Sequence, residues 1–467
     1  MIGRLRSLLR QTFGSRFLRQ STTLQAAAAV NAASNLVGTV VLANVLGVGE
    51  LAIFYLAVSS YSLLWSLMNL GLASVATSRI AANLQAGRQE RMIGWVGVLL
   101  RLSFALAGTA FLVGLVAIPS VAEAYFRENG ARIGQLGALL MLVPLLDVPR
   151  IAACSAMQAE RRMLALARVD MGQELCRLVL VVAGALAFGN AMGPVAGSLA
   201  ASVAGSLIAL DTYRRERKSD SSALPMMVTA ARSRSVPAKL ALREGVKVGL
   251  VRNIDSLGMQ TLPTLILGGI GDQKWVTYLR FAQRMIAMAR LFMQGINRTA
   301  LPALSELAGV KDLVGLRRLY WRASLYSGGA ITLGLVVSLP LLPYLIRFLF
   351  PESYWEPVWL LSLILAPGLA IVSFSVANDV FYLVTGQMRV AIWISAVGLV
   401  VNTVAIAALA WYFPRIGVAL GLTFTCFFSL VHMGYAFLWF RRNDHLFLRE
   451  RADGAVVAGT AADVAAS

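Results

Sequence analysis

Four arginines lie within one apolar segment long enough to cross a membrane as a helix, residues 276–304. They are Arg280, Arg284, Arg290 and Arg298. An arginine near the centre of a spanning helix costs about 3 kcal/mol on insertion scales, so four that faced lipid would cost about 10 kcal/mol. A guanidinium group stays charged when buried, and its planar fork can donate two hydrogen bonds to one phosphate group. We therefore expect these side chains to line a wet or anionic region, and a phosphate-bearing ligand fits them chemically.

The polar residues of this segment share one helix face. At about 100° per residue they fall within an arc of about 140°, and the opposite face is apolar. The polar set is Arg280, Gln283, Arg284, Arg290, Gln294, Asn297 and Arg298. Arg280 and Arg298 lie near the predicted helix ends, where a long side chain can reach lipid headgroups instead. Arg284 is therefore the first candidate for ligand binding, followed by Arg290 and Arg280.

The composition is that of a polytopic membrane protein. Of 467 residues, 58% are hydrophobic and 14% are charged, and the mean hydropathy is +0.70. The net charge of +19 does not indicate nucleic-acid binding, because the basic residues gather in short patches between apolar stretches. The three cysteines, Cys154, Cys176 and Cys426, lie inside apolar segments, and no two of them are closely spaced. Neither a disulfide framework nor a zinc site is therefore predicted, and no cofactor is expected.

Twelve apolar segments are long enough to cross a bilayer as helices. They lie near residues 22–46, 51–78, 92–118, 133–158, 165–188, 192–213, 246–270, 276–304, 323–349, 357–384, 389–413 and 416–440. If the amino end is cytoplasmic, 30 of the 42 lysines and arginines fall in inner connections and five in outer ones. Such an excess of inner positive charge is typical of that orientation, so both termini are predicted to be cytoplasmic.

The longest inner connection divides the predicted helices into two sets of six. The predicted organisation is a basic amphipathic interfacial helix, a first lobe, an inner connecting loop, a second lobe and a cytoplasmic tail, over residues 1–20, 21–213, 214–243, 244–440 and 441–467. A glycine-rich turn opens the second span at Leu46 to Glu50, and a similar turn opens the eighth at Leu267 to Asp272. Because each half has an even number of spans, we expect two pseudo-symmetric lobes that flank a central cavity.

Several short motifs resemble a known family in their order and spacing. In the first half they are Leu46-Gly47, Phe54-Tyr55, Asn69-Leu70-Gly71-Leu72 and Arg79. In the second half they are Tyr278, Ala282-Gln283-Arg284, Leu301-Pro302-Ala303-Leu304-Ser305, Gly386-Gln387 with Arg389, Asn402, and Gly417-Val418-Ala419-Leu420-Gly421 after Pro414. Together they resemble bacterial polysaccharide exporters of the oligosaccharidyl-lipid flippase type, the Wzx-like branch of the MATE-related MOP superfamily. The resemblance covers the chain from about residue 25 to residue 440.

This resemblance implies an all-α fold with MATE-like lobes in the bacterial cytoplasmic membrane. It implies a protein that moves a polyprenyl-pyrophosphate-linked oligosaccharide from the inner to the outer leaflet by alternating access, for exopolysaccharide, capsule or O-antigen synthesis. The expected partners are that substrate, membrane lipids, and the polysaccharide polymerase and chain-length machinery, with the protein itself a monomer. No enzymatic activity is expected.

Two other functions are weighed against this one. Cation-coupled export of drugs or small metabolites usually needs an unpaired acidic residue in the cavity of one lobe, but most intramembrane carboxylates here have an arginine three residues away or lie near a helix end. A membrane glycosyltransferase or polymerase usually needs a sizeable outer loop or paired acidic residues, and the predicted outer connections are short. ATP-driven transport by this chain alone is excluded, because no phosphate-binding loop ending in Gly-Lys-Ser or Gly-Lys-Thr is present.

Four further intramembrane residues are candidates for the binding cavity. Arg252 could join the arginines of the eighth span or pair with Asp255, three residues away. Asn31 and Asn35, four residues apart on the first span, could bind sugar hydroxyls or join two helices, and the sequence favours neither. Asn402 could face the cavity of the second lobe. For Asp147 with Arg150 and for Glu174 with Arg177, structural ion pairs are predicted.

Overall fold

The computed structural model describes residues 15–219, 225–286, 313–375, 377–378, 381–382 and 385–443. Every regular element in these ranges is helical, so the all-α class is confirmed for the described part of the chain. Contacts divide the chain into two compact units. Unit 1 comprises Met1–Leu279 with Leu349–Glu352, and unit 2 comprises Arg280–Phe348 with Ser353–Ser467.

Unit 1 contains eleven complete helices and the start of a twelfth within the described residues. They are α1 Ser15–Val45, α2 Val48–Met68, α3 Leu72–Gln85, α4 Gln89–Tyr125, α5 Gly130–Leu140, α6 Leu142–Ala159, α7 Met163–Phe188, α8 Met192–Ser219, α9 Met227–Arg232, α10 Ala238–Ser256 and α11 Leu262–Ile270. A π-helical turn, Leu257–Thr261, joins α10 to α11. Helix α12, residues 273–286, begins in this unit and crosses the boundary into unit 2.

In the described residues, unit 2 contains four long helices after α12, and the last of them ends near residue 443. They are α13 Leu313–Leu349, α14 Trp355–Ser373, α15 Met388–Tyr412 and α16 Gly417–Arg442. A short 3-10 turn, Glu352–Tyr354, precedes α14. The buried core of this unit is aromatic, with Tyr320, Phe381 and Phe440 almost fully covered.

The helices occupy the predicted membrane segments. Within the described residues, nine helices are long and apolar enough to span a membrane, and two shorter apolar helices, Val30–Val45 and Leu257–Ile270, lie where the first and seventh spans are predicted. The eighth span is described only to residue 286. The protein is therefore a multi-pass membrane protein. The predicted lobe boundaries stay a prediction, and residues 1–14 and 444–467 of the two predicted ends lie outside the described ranges.

Three predicted spans are wrong in detail. The fourth, predicted over 133–158, is interrupted at Met141, and the tenth, predicted over 357–384, ends at Ser373. The second is also interrupted. The sequence predicts a continuous helix over 51–78, but α2 ends at Met68 and α3 begins at Leu72. The break lies at Gly71, whose φ of 64° is in the left-handed region that favours glycine. A Cβ atom on Gly71 would lie 2.6 Å from the backbone nitrogen of Gly249 on α10. A close backbone contact between distant parts of the chain therefore fixes this turn.

Side chains reinforce the same contact. The Asn253 amide donates hydrogen bonds to the carbonyl oxygens of Ser66 and Asn69, at 2.5 and 2.7 Å. Arg79 on α3 forms a two-bonded ion pair with Glu244 on α10, in which Nε donates to Oε2 at 2.9 Å. The hydrogen bond to this carboxylate raises the pKa of Arg79 above its ordinary value, so the arginine stays charged. The Asn253 hydrogen bonds and the Arg79–Glu244 ion pair thus hold α10 against the α2–α3 joint.

Candidate functional site

The described part of the arginine stripe lies on α12. Arg280 and Arg284 are four residues apart on one face and are partly buried, whereas Phe281 and Met285 on the other faces are buried. The structure therefore agrees with the predicted separation of a polar and an apolar face as far as residue 286. Arg290 and Arg298 lie outside the described ranges. Arg252 belongs to α10, and its side chain is outside what the structure describes.

A partly buried polar network joins α1 to α7 in unit 1. The Asn35 side-chain nitrogen donates to Glu174 Oε1 at 3.0 Å, and Arg177 donates to Asn35 Oδ1 at 2.8 Å. Arg177 Nε also donates to Glu174 Oε2 at 3.0 Å. The predicted pair of Glu174 with Arg177 is confirmed. Because both ends of the Asn35 amide bind these side chains, the geometry favours the helix-joining role of Asn35 over ligand binding.

Several other polar atoms in the same unit are buried without a hydrogen-bond partner among the described protein groups. They include Asn31 Oδ1 on α1 and, on α6, Asp147 Oδ1 and Arg150 Nε. Asp147 and Arg150 form the predicted ion pair at 3.0 Å, and yet each keeps one unsatisfied atom. Leaving a buried polar atom unpaired costs about 1–3 kcal/mol, so these groups are suited to a polar ligand. The sequence predicts the ion pair but not the unsatisfied atoms, because side-chain orientation decides which atoms remain unpaired.

Helices α6 and α7 contain three carboxylates, Asp147, Asp170 and Glu174, and three arginines, Arg150, Arg168 and Arg177. Arg168 lies 4.0 Å from Glu216 on α8. Asp170 is partly buried and forms no salt bridge within the described part of the chain. It has no arginine three residues away, so it departs from the pairing that the other two carboxylates follow.

The polar residues of unit 2 are mostly engaged with aromatic partners. Asn402 on α15 is only 6% exposed, and its Oδ1 has no hydrogen-bond partner among the described groups. Asn378 accepts a hydrogen bond from the Tyr320 hydroxyl at 2.6 Å. Tyr382 and His432 are joined by a hydrogen bond of 2.9 Å. The sequence indicates Asn402 but not the hydrogen bonds that tyrosine and histidine side chains make here.

A cavity of about 700 Å³ lies in unit 1 at the predicted outer ends of α2, α4, α5, α11 and α12. Its lining includes Glu50, Arg127, Arg132, Asp272 and Lys274. Arg132 donates two hydrogen bonds to the Glu50 carboxylate, at 2.7 and 2.8 Å, and the backbone N–H of Ala191 donates a third at 2.7 Å. Glu50 belongs to the glycine-rich turn singled out in the sequence, so that motif also marks a structural junction.

We expect Glu174→Gln to lower stability by about 1–2 kcal/mol, because Arg177 loses its counter-ion and one hydrogen-bond acceptor. Thermal unfolding in detergent, followed by tryptophan fluorescence, measures the change. Asp211→Asn is the control, because Asp211 pairs with Arg215 at an exposed site on α8. Such an exposed pair contributes less than about 0.5 kcal/mol. Equal shifts of the unfolding temperature in the two variants would contradict a structural role for the network of Asn35, Glu174 and Arg177.

Comparisons with known proteins agree with this fold. The model of a family described as polysaccharide biosynthesis protein matches residues 17–308. The chain is similar to an inward-facing structure of a multidrug resistance MATE transporter of the MOP superfamily, with 16% identity, a TM-score of 0.70, and coverage of 90% of this chain and 96% of that chain. Among curated proteins, none matches the chain.

Two further solved structures have the same fold. One is a MOP superfamily transporter from Pyrococcus furiosus whose binding pocket is described as having reverse polarity, with 16% identity, a TM-score of 0.64, and coverage of 92% and 95% of the two chains. The other is the D35N mutant of the Vibrio cholerae MATE transporter VcmN, with 15% identity, a TM-score of 0.63, and coverage of 92% and 97%. At these identities the likeness shows the fold alone. The chain belongs to the polysaccharide biosynthesis protein family and has the fold of the MATE transporters of the MOP superfamily.

Proposed function

We propose that the protein moves a polyprenyl-pyrophosphate-linked oligosaccharide from the inner to the outer leaflet of the bacterial cytoplasmic membrane. The observation that carries this proposal is the position of Arg280 and Arg284 one turn apart on α12, in a helix whose other faces are buried and apolar. Two guanidinium groups at this spacing can each make paired charge-assisted hydrogen bonds to a pyrophosphate. The family match, which is to polysaccharide biosynthesis, supports this cargo.

The energetic argument concerns the lipid-linked pyrophosphate. A pyrophosphate cannot enter hydrocarbon without its charge being offset, because transfer of an unpaired ion from water costs many kcal/mol. Arginine offsets that charge without changing protonation state, whatever the degree of burial. Arg290, on the same predicted face, extends the stripe by about 9 Å along the helix. We propose Arg284, Arg290 and Arg280 as the pyrophosphate-binding residues, with Arg252 as a neighbour on the preceding span.

Each unit contains buried polar atoms that suit sugar hydroxyls. In unit 1, Asn31 Oδ1 and Asp147 Oδ1 can accept hydrogen bonds from hydroxyl groups, and Arg150 Nε can donate one. Sugar hydroxyls both donate and accept, so they can satisfy a mixed set of this kind. In unit 2, Asn402 Oδ1 is a buried acceptor. A polymerase and its chain-length partners on the outer side would then consume the transferred units, and the transporter would act as a monomer.

Deleting the gene tests this function. We expect completed lipid-linked oligosaccharides to accumulate on the inner leaflet, because assembly continues while transfer stops. Extraction of lipid-linked sugars from the deletion strain, with mass spectrometry and an impermeant enzyme that cleaves only outer-leaflet units, measures both composition and side. Unfinished or unpolymerised units on the outer leaflet would instead indicate an enzyme that acts on the same carrier, and an unchanged lipid-linked pool would indicate another cargo.

A further inference from the structure

The inner connection between α8 and α10 is a folded strap rather than a loop. We define the strap as residues 225–237, which include α9. The Tyr213 hydroxyl donates to the carbonyl oxygen of Pro225 at 2.7 Å, and Ser235 Oγ donates to the carbonyl oxygen of Glu90 at 3.1 Å. Ala230 and Val236 are buried in the core of unit 1. The strap is thus fixed at both ends against the first lobe.

The strap packs against one face of α4. At about 100° per residue, Glu90, Gly94, Gly97 and Arg101 fall within an arc of about 60°. A Cβ atom on Gly94 would collide with Ser235, and one on Gly97 would collide with the carbonyl group of Ala230. Arg101 donates to the carbonyl oxygens of Ala231, at 2.8 Å, and Ser233. The two glycines permit a close approach, and the arginine fixes the strap backbone.

This contact brings four exposed arginines together. Arg88 and Arg91 flank the start of the receiving face on α4, and Arg232 and Arg234 flank Ser233 on the strap. None of the four forms a salt bridge within the described residues, and one carboxylate, Glu90, lies between the two on α4. Like charges within a Debye length, about 10 Å at 0.1 M salt, repel one another, and an anion bound beside them reduces that repulsion.

The position of this cluster identifies the anion. Helix α4 has 37 residues. At 1.5 Å per residue it is about 55 Å long, compared with about 30 Å for the hydrocarbon core. Its apolar stretch is predicted over 92–118, so Arg88, Arg91 and the part of the strap that contacts Glu90 lie at the depth of the inner-leaflet headgroups. We infer that Arg88, Arg91, Arg232 and Arg234 form a binding site for anionic phospholipid headgroups, such as phosphatidylglycerol. The inference rests on the topology and the strap geometry, not on the identity of the transported cargo.

Native mass spectrometry of the full-length protein in detergent tests the site, with phosphatidylglycerol, phosphatidylcholine and farnesyl pyrophosphate as separate probes. The test variant replaces the four arginines with glutamine: Arg88→Gln, Arg91→Gln, Arg232→Gln and Arg234→Gln. Because each arginine or lysine near an anionic surface contributes appreciably to binding, we expect phosphatidylglycerol to bind at least about tenfold more weakly. We expect phosphatidylcholine binding to be unchanged.

The control removes the same charge from the same face outside the strap contact: Arg214→Gln, Lys218→Gln, Lys239→Gln and Arg243→Gln. It should retain most phosphatidylglycerol binding. An equal loss in both variants would overturn the site, since it would indicate only a diffuse positive surface. A loss of farnesyl pyrophosphate binding in the test variant that exceeds its loss of phosphatidylglycerol binding would also overturn it, by assigning the cluster to pyrophosphate-bearing lipids. Equal unfolding temperatures of the two variants show that the comparison is between folded proteins.

Discussion

Replacing Arg284 with alanine is expected to block export of surface polysaccharide while the protein still inserts into the membrane. A hydrogen bond to a charged group contributes about 1.5–3 kcal/mol, so loss of this interaction reduces transfer by about ten- to a hundredfold. Arg284→Lys should restore transfer only in part, because a point charge cannot make the paired hydrogen bonds of a guanidinium group. The rate of appearance of lipid-linked units on the outer leaflet measures the effect, and quantitative blotting of the membrane fraction measures insertion.

Arg347 supplies the control for this prediction. It is also an arginine of a long apolar helix, α13, but its guanidinium lies over the Trp355 ring at 3.9 Å from the ring centroid. Arg347→Ala should therefore leave transfer close to normal. The double variant Arg284→Ala, Arg290→Ala should be at least as defective as Arg284→Ala alone. Unimpaired polysaccharide in that double variant would remove the proposed role of the stripe in substrate binding.

Much of the fold can be predicted from the sequence because a bilayer imposes a length rule on helices. Segments of about 20 apolar residues must be helical to satisfy their backbone groups in lipid. Helix α15, for example, runs from Met388 to Tyr412, compared with a predicted span of 389–413. The polar face at Arg280 and Arg284 can be predicted for a similar reason, since helical periodicity alone places residues four apart on one face.

The features that could not be predicted depend on contacts between residues far apart in sequence. From the sequence alone, Asn35 fits a ligand-binding role and a helix-joining role equally well. The structure favours the second role because Asn35 contacts Glu174, 139 positions away. The sequence predicts a loop for the strap because its polar and small residues show no helical periodicity. The strap contact with Arg101 cannot be predicted either, since the carbonyl groups that Arg101 binds lie 130 or more positions later in the chain. In each case a local pattern is compatible with two structures, and tertiary packing selects one.

The break at Gly71 leads to the second large prediction, which concerns stability. Gly71 combines a left-handed backbone with a close contact to α10, so we expect Gly71→Ala to be strongly destabilising. A non-glycine residue at positive φ costs about 1–2 kcal/mol, and an overpacked contact costs about 1–3 kcal/mol more. The sum is about 3 kcal/mol, large enough to reduce the amount of folded protein recovered from membranes. Thermal unfolding in detergent, with the yield of monodisperse protein, measures both consequences.

Substitutions at three other glycines measure separately the cost of the left-handed backbone and the cost of the close contact. Gly87 has a φ of 68° and no atom within 4 Å of a Cβ position, so Gly87→Ala reports the backbone cost alone. Gly249 has no positive φ, but a Cβ atom there would lie 2.6 Å from the carbonyl carbon of Leu70, so Gly249→Ala reports the contact cost less the about 1 kcal/mol by which alanine is favoured over glycine inside a helix. Gly47 has neither a positive φ nor a close contact, so Gly47→Ala should be close to neutral.

If Gly71→Ala lowers the unfolding temperature no more than Gly87→Ala does, the close contact between the α2–α3 joint and α10 does not contribute to stability. A decrease close to the sum of the Gly87→Ala and Gly249→Ala decreases would establish that the contact fixes the break in the predicted second span.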